Sequence, residues 1–119
     1  MARFDLFRLP DDQGYVVDVQ SNHASEKVRT RVVVPLVPLA ELGKPIAGLN
    51  PVLRIDDRDY AFVAQSLASL TCPEIRERAG SLMEDHGDRF ACALKILLTG
   101  LCSRADGDFT LARPGPQRS

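Results

Sequence analysis

A mainly β domain finished by a C-terminal α-helix is predicted by three features of this 119-residue chain. Its first half holds short runs of β-branched and aromatic residues broken by Pro, Gly and Asp clusters. Two of those runs flank a short polar turn. A wide apolar stripe at helical spacing then covers residues 88–99. The length points to one domain. A composition of 45% hydrophobic and 26% charged residues suits a globular one.

Residues 3–8 alternate loosely around Phe4 and Leu6, and Pro10-Asp11-Asp12-Gln13-Gly14 is a turn cluster. Tyr15, Val17 and Val19 then share one face of a strand, and Val16, Asp18 and Gln20 share the other. That pattern predicts a half-buried strand with the Asp18 carboxylate outward. Residues 21–27 read as a polar loop. Arg31-Val32-Val33-Val34-Pro35-Leu36 reads as a strand in which Pro35, having no N–H, marks an end, an edge or a bulge. Residues 38–51 carry three prolines and two glycines and form an irregular connection.

Val52–Ile55 and Asp59–Ala64 flank Asp56-Asp57-Arg58, which predicts a hairpin. Thr71-Cys72-Pro73-Glu74 has capping-box spacing, and Ile75, Ala79 and Leu82 follow at helical intervals, so a short helix is expected there. The clearest helix is Asp88–Thr99, with Phe90, Leu94, Leu97 and Leu101 in one line, Leu98 beside them and Gly100 as its cap. A stripe this wide is expected to be covered on more than one side, one of them a second subunit, so a homodimer is expected. Residues 103–119 are poor in apolar side chains and read as a flexible tail behind a domain at 1–102.

Several function classes are disfavoured. Fifteen basic residues against 16 acidic leave a net charge of -1, without the basic excess of a nonspecific nucleic-acid binder. No apolar run approaches the roughly 18 residues of a membrane span, and the first residues do not read as a secretory signal. Cys72, Cys92 and Cys102 have no metal-site spacing and are expected to be free thiols of a cytoplasmic protein. No phosphate loop, dinucleotide fingerprint, zinc-protease or nucleophile-elbow motif occurs, so no catalytic residue, metal or cofactor is assigned. Asp56, Asp57 and Asp59 are read as a solvated turn, His23 and His86 as surface residues, and Arg29 and Arg31 as a solvated strand face.

The order of five short motifs resembles the CcdB family of bacterial toxin–antitoxin toxins. They are Val17-Asp18-Val19-Gln20-Ser21, Arg31-Val32-Val33-Val34-Pro35-Leu36, Asn50-Pro51-Val52-Leu53-Arg54-Ile55, Ala68-Ser69-Leu70, and the run from Ala93 to Leu101. The resemblance implies an SH3-like β-barrel with a C-terminal helix, assembled as a homodimer. It implies a toxin without catalysis that binds the A subunit of DNA gyrase and traps the enzyme on cleaved DNA. A CcdA-like antitoxin would neutralise it, and toxin and antitoxin together would repress their operon on operator DNA, a system of plasmid maintenance. In the plasmid-borne toxin of the family the gyrase contact is a terminal Trp-Gly-Ile. The matching positions here are Thr99, Gly100 and Leu101, with Lys95 and Leu98 beside them and His23 and Ala24 at a second contact loop. This chain contains no Trp and continues for 18 residues past Leu101.

Two other readings are carried forward. One is an endoribonuclease toxin on the same barrel, which needs a base, an acid and a phosphate-binding Arg, for which Arg31, Asp18 and His23 are the candidates. The other is a non-toxic homologue that keeps the fold and antitoxin binding.

Overall fold

The computed structural model describes residues 2–10, 14–22, 29–71, 75, 77–104 and 107–110, with 101–104 and 107–110 described by backbone alone. In chain order the elements are β1 (Asp5–Arg8), β2 (Tyr15–Asp18), β3 (Thr30–Pro38), α1 (Leu39–Leu42), β4 (Val52–Ile55), β5 (Arg58–Phe62), a 3-10 turn (Ala64–Ser66), β6 (Ala68–Thr71), β7 (Glu77–Ser81), α2 (Met83–Thr99), β8 (Leu101–Arg104) and β9 (Gly107–Thr110). Seven strands form one sheet in the order β4-β5-β3-β2-β1-β7, with β6 also on β3; β8 and β9 pair separately. All pairings are antiparallel. The result is a curled half-barrel with α2 on its concave face, so the β-rich, helix-ended architecture is as expected.

The long strand β3 is the spine. One side pairs with β2. The other pairs first with β6 over Thr30–Val33, then with β5 over Leu36–Pro38. Pro35 falls at the switch between those two partners. A missing N–H is tolerated there, which is why Pro35 sits inside the strand and does not end it.

The core lies between sheet and helix. It gathers Leu6, Val17, Val34, Leu36 and Phe62 from the strands with Phe90, Ala93, Leu94 and Ile96 from α2. Phe90 stacks on Phe62 at 4.1 Å and meets Phe4 edge-on at 5.6 Å. A second, smaller cluster of Phe7, Val16, Val33 and Ile75 covers the opposite face of the sheet. β2 is therefore buried on both faces. The expected half-buried strand is corrected: Asp18 is 0% exposed.

Four further expectations change. Glu77–Ser81 is a strand on β1, not a helix; Cys72, Pro73 and Glu74 lie outside the described residues. Pairing with β1 outweighs the local capping pattern, and Gly80 adopts a φ of +153° that a helix does not use. The helix begins at Met83, five residues before the expected Asp88. The boundary after residue 102 falls inside β8, because the presumed tail forms a β8–β9 hairpin as far as Thr110. Cys92, 2% exposed, is disulfide-bonded and not a free thiol.

The hairpin at 52–62 is as expected. Asp56 and Asp57 take φ of 48° and 66°, the left-handed pair that tightens a two-residue turn.

Gly87 lies against Phe4 on the buried face of α2. A methyl group there would sit 2.9 Å from Met83 Sδ and 3.6 Å from Phe4 Cδ2. The first neighbour is the movable end of a half-exposed side chain and the second is ordinary contact. Alanine is preferred to glycine in a helix interior by roughly 0.5–1 kcal/mol. Gly87→Ala is expected to raise stability by about 0.5 kcal/mol in urea titration. A loss above about 1 kcal/mol would show that Phe4 and Met83 are locked in place.

Candidate functional site

The two ends of α2 are shaped by three local effects. Glu84 and Asp85 occupy the first turn, where carboxylates oppose the helix dipole. Gly100 adopts the left-handed conformation at φ 84° and its N–H donates to Ile96 O at 2.9 Å, closing the helix. Thr99 donates its hydroxyl back to Lys95 O at 2.6 Å, which covers one of the terminal carbonyls.

Helical spacing puts Lys95, Leu98 and Thr99 on one outer face, and all three are exposed. Leu98 is 74% exposed, the most exposed large apolar residue among the described ones. The structure thus brings three of the seven expected contact residues together. Gly100 acts as their cap, Leu101 opens β8, and His23 and Ala24 lie outside the described residues. The broad stripe expected at a dimer interface is corrected in part. Phe90 and Leu94 are spent on the chain's own core, and Leu97 packs against its edge.

Asp18 and Arg31, expected on solvated faces, form a buried ion pair with side-chain exposures of 0% and 4%. Arg31 donates through Nε to Asp18 Oδ2 at 2.9 Å and also through Nη2. The Gln20 backbone N–H donates to Asp18 Oδ1 at 3.0 Å. Gln20 Oε1 accepts from Val32 N at 3.1 Å, while its Nε2 is buried with no hydrogen-bond partner among the described residues. Both sheet faces are covered here, so a charge pointing away from the main core still lands in an apolar layer.

His86, expected at the surface, is half-buried. Its ring stacks on Phe90 at 5.7 Å. Arg89 reaches within 3.1 Å of its Nδ1 and donates to Val52 O at 2.6 Å, tying α2 to β4. Burial, with the adjoining Arg89 charge, pushes the imidazole below the usual histidine range, against a smaller opposing pull from Asp85. Among the described residues no group of three His, Cys, Asp or Glu side chains converges as a metal site, and no helix is long and apolar enough to cross a membrane.

Several solved structures share this fold. An endoribonuclease in complex with its cognate antitoxin, from a mycobacterial species, superimposes with a TM-score of 0.66 at 17% identity, covering 82% of this chain and 94% of its own. A second mycobacterial endoribonuclease gives 0.66 at 16% identity over 82% and 90%. The Mycobacterium tuberculosis toxin MazF-mt6 gives 0.62 at 9% identity over 81% and 96%. At these identities the likeness establishes the fold, which is that of the half-barrel toxins. A search of curated proteins found no match. The family model of the CcdB protein matches residues 3–100, and the chain belongs to the CcdB family. It is a toxin of the toxin–antitoxin kind.

Proposed function

We propose that this toxin binds the A subunit of DNA gyrase through the outer face at the end of α2 and traps the enzyme on cleaved DNA. It works in the cytoplasm as a homodimer, without catalysis of its own. A CcdA-like antitoxin neutralises it, and the two together repress their operon on operator DNA.

The observation that carries this reading is the exposed face of Lys95, Leu98 and Thr99. It offers an apolar centre and a cation at the helix end to which the family assigns the contact. Among the described residues Leu98 is the most exposed large apolar side chain, and with the Lys95 cation beside it this supports a docking role for the face.

The endoribonuclease reading draws on the fold shared with the mycobacterial enzymes. Its residues are poorly placed here. Arg31 and Asp18 neutralise each other inside the protein, where neither can reach a phosphodiester.

Expression in a gyrase-sensitive and a gyrase-resistant host tests the proposal. Death of the sensitive host alone is expected. Death of both would point to another target such as RNA, and growth of both to a homologue that has lost toxicity. Either result rejects gyrase poisoning.

A further inference from the structure

A cavity lies beside the start of β2, against β3 and β5. Arg8, Tyr15, Leu36, Pro38, Arg58 and Tyr60 line its volume of about 660 Å³, a size typical of small-molecule sites. The two tyrosine rings meet edge to face at 5.6 Å. Each carries a guanidinium: Arg8 lies 5.4 Å from the Tyr15 centroid and Arg58 lies 5.7 Å from that of Tyr60.

The two arginines are not equivalent. Arg8 donates to the Tyr15 hydroxyl at 3.2 Å and pairs with Glu77 at 3.5 Å. The Tyr15 hydroxyl donates in turn to Asp56 Oδ2 at 3.3 Å. Arg58 makes no ion pair among the described residues. It therefore has a free fork of donors beside an aromatic and proline-lined wall. Planar bases stack on aromatic rings and on guanidinium planes, and a guanidinium fork grips phosphate.

Charge sets the size of the ligand. Glu41 lines the cavity, and Asp56, Asp57 and Asp59 stand on the adjoining turn. Successive phosphates of a strand crossing this mouth would run into these carboxylates. One phosphate, held at Arg58, would not.

We propose that this cavity binds a single nucleotide unit, its base against Tyr15 and Pro38 and its one phosphate on Arg58. Two sources carry that chemistry: a free nucleoside monophosphate and the 5′-phosphorylated end of single-stranded RNA. The site is independent of the gyrase-directed face, being built from strands β1, β2, β3 and β5 and not from α2.

Isothermal titration of the full chain at low salt decides it. The probes are UMP, AMP, the two parent nucleosides, inorganic phosphate, and hexauridylate with and without a 5′-phosphate. A monophosphate is expected to bind at least about tenfold more tightly than its nucleoside. Arg58→Gln should remove that advantage without altering the melting temperature, and Tyr15→Leu should weaken both ligands. Binding of the monophosphates alone identifies a free nucleotide. Equal binding of the 5′-phosphorylated hexamer, and none of the unphosphorylated one, identifies an RNA end. The proposal is overturned if no monophosphate binds up to about 10 mM. It also fails if Arg58→Gln binds as tightly as wild type, or if inorganic phosphate binds as well as UMP.

Discussion

Arg31→Leu is expected to lower the unfolding free energy by about 3–5 kcal/mol, the largest effect of any single change considered for this protein. The Asp18 carboxylate has no exposure. Without Arg31 its remaining hydrogen bond comes from the Gln20 backbone N–H. One amide cannot compensate a charge held between two apolar layers. Domains of this size are stable by about 5–15 kcal/mol, so the variant should lie near the edge of folding. The double change Asp18→Leu with Arg31→Leu removes both charges and should recover most of the loss, because an apolar pair of similar volume is often as stable as a buried ion pair. Urea titrations of wild type, single and double variants check this at unchanged m-value. A single-variant loss under about 1 kcal/mol would mean that water reaches Asp18. The same set bears on function. If Arg31 held phosphate in a ribonuclease site, the double variant would lose toxicity despite recovered stability; under the gyrase reading it keeps toxicity.

Leu98→Glu is expected to abolish toxicity and weaken binding to the gyrase A subunit at least about tenfold, with no change in melting temperature. Leu98 is 74% exposed and contributes little to the chain's own core. The second arm works in the other direction. A tryptophan hot spot is commonly worth about 2 kcal/mol or more, roughly thirtyfold in affinity. Thr99→Trp combined with truncation after Leu101 is therefore expected to tighten binding at least about tenfold, with the β8–β9 hairpin removed from beside the helix end. The hydroxyl lost from Thr99 takes with it the bond to Lys95 O, but that group is exposed and water replaces it. Titration against purified gyrase A subunit reads both arms. If Leu98→Glu binds as wild type does, the contact does not lie on this face.

The 52–62 hairpin and the last helix were readable because their information is local. An alternating apolar run on either side of Asp56-Asp57, or a stripe at intervals of three and four, needs no distant partner to be interpreted. Residues 77–81 were misread for the opposite reason: a capping pattern is local, but the strand they form is decided by β1, some 70 residues away. Asp18 and Arg31 were misread because a charged residue on an alternating strand is assigned to water. The layer that covers them includes Ile75 and Phe7, which no pattern around residue 18 reveals. At the end of α2, Lys95, Leu98 and Thr99 are candidates only through the family resemblance, since helical spacing alone treats Leu98 as part of the buried stripe. The mouth formed by Arg8, Tyr15, Arg58 and Tyr60 left no signal in the sequence. Strand register assembles it from separate strands.

The pairing of β1 with β7 has a consequence in time. Leu6 and Phe7 lie opposite Gly80 and Arg78. The junction is fastened by Arg78 Nε donating to Asp5 Oδ2 at 3.0 Å, between residues 73 positions apart. Burial pushes the Asp5 carboxyl pKa up, but the hydrogen bonds from Arg78 and the Ala2 N–H outweigh it and hold it below the usual carboxylate range. A ribosome adding about 5–20 residues per second makes Arg78 roughly 4 to 15 s after Asp5. Until then β1 lacks its β7 partner, and Asp5 lacks the Arg78 guanidinium. α2 follows still later in the chain, so the concave face of the sheet has no helix on it until then. The nascent toxin thus spends seconds as an incomplete sheet without the surface that carries Leu98.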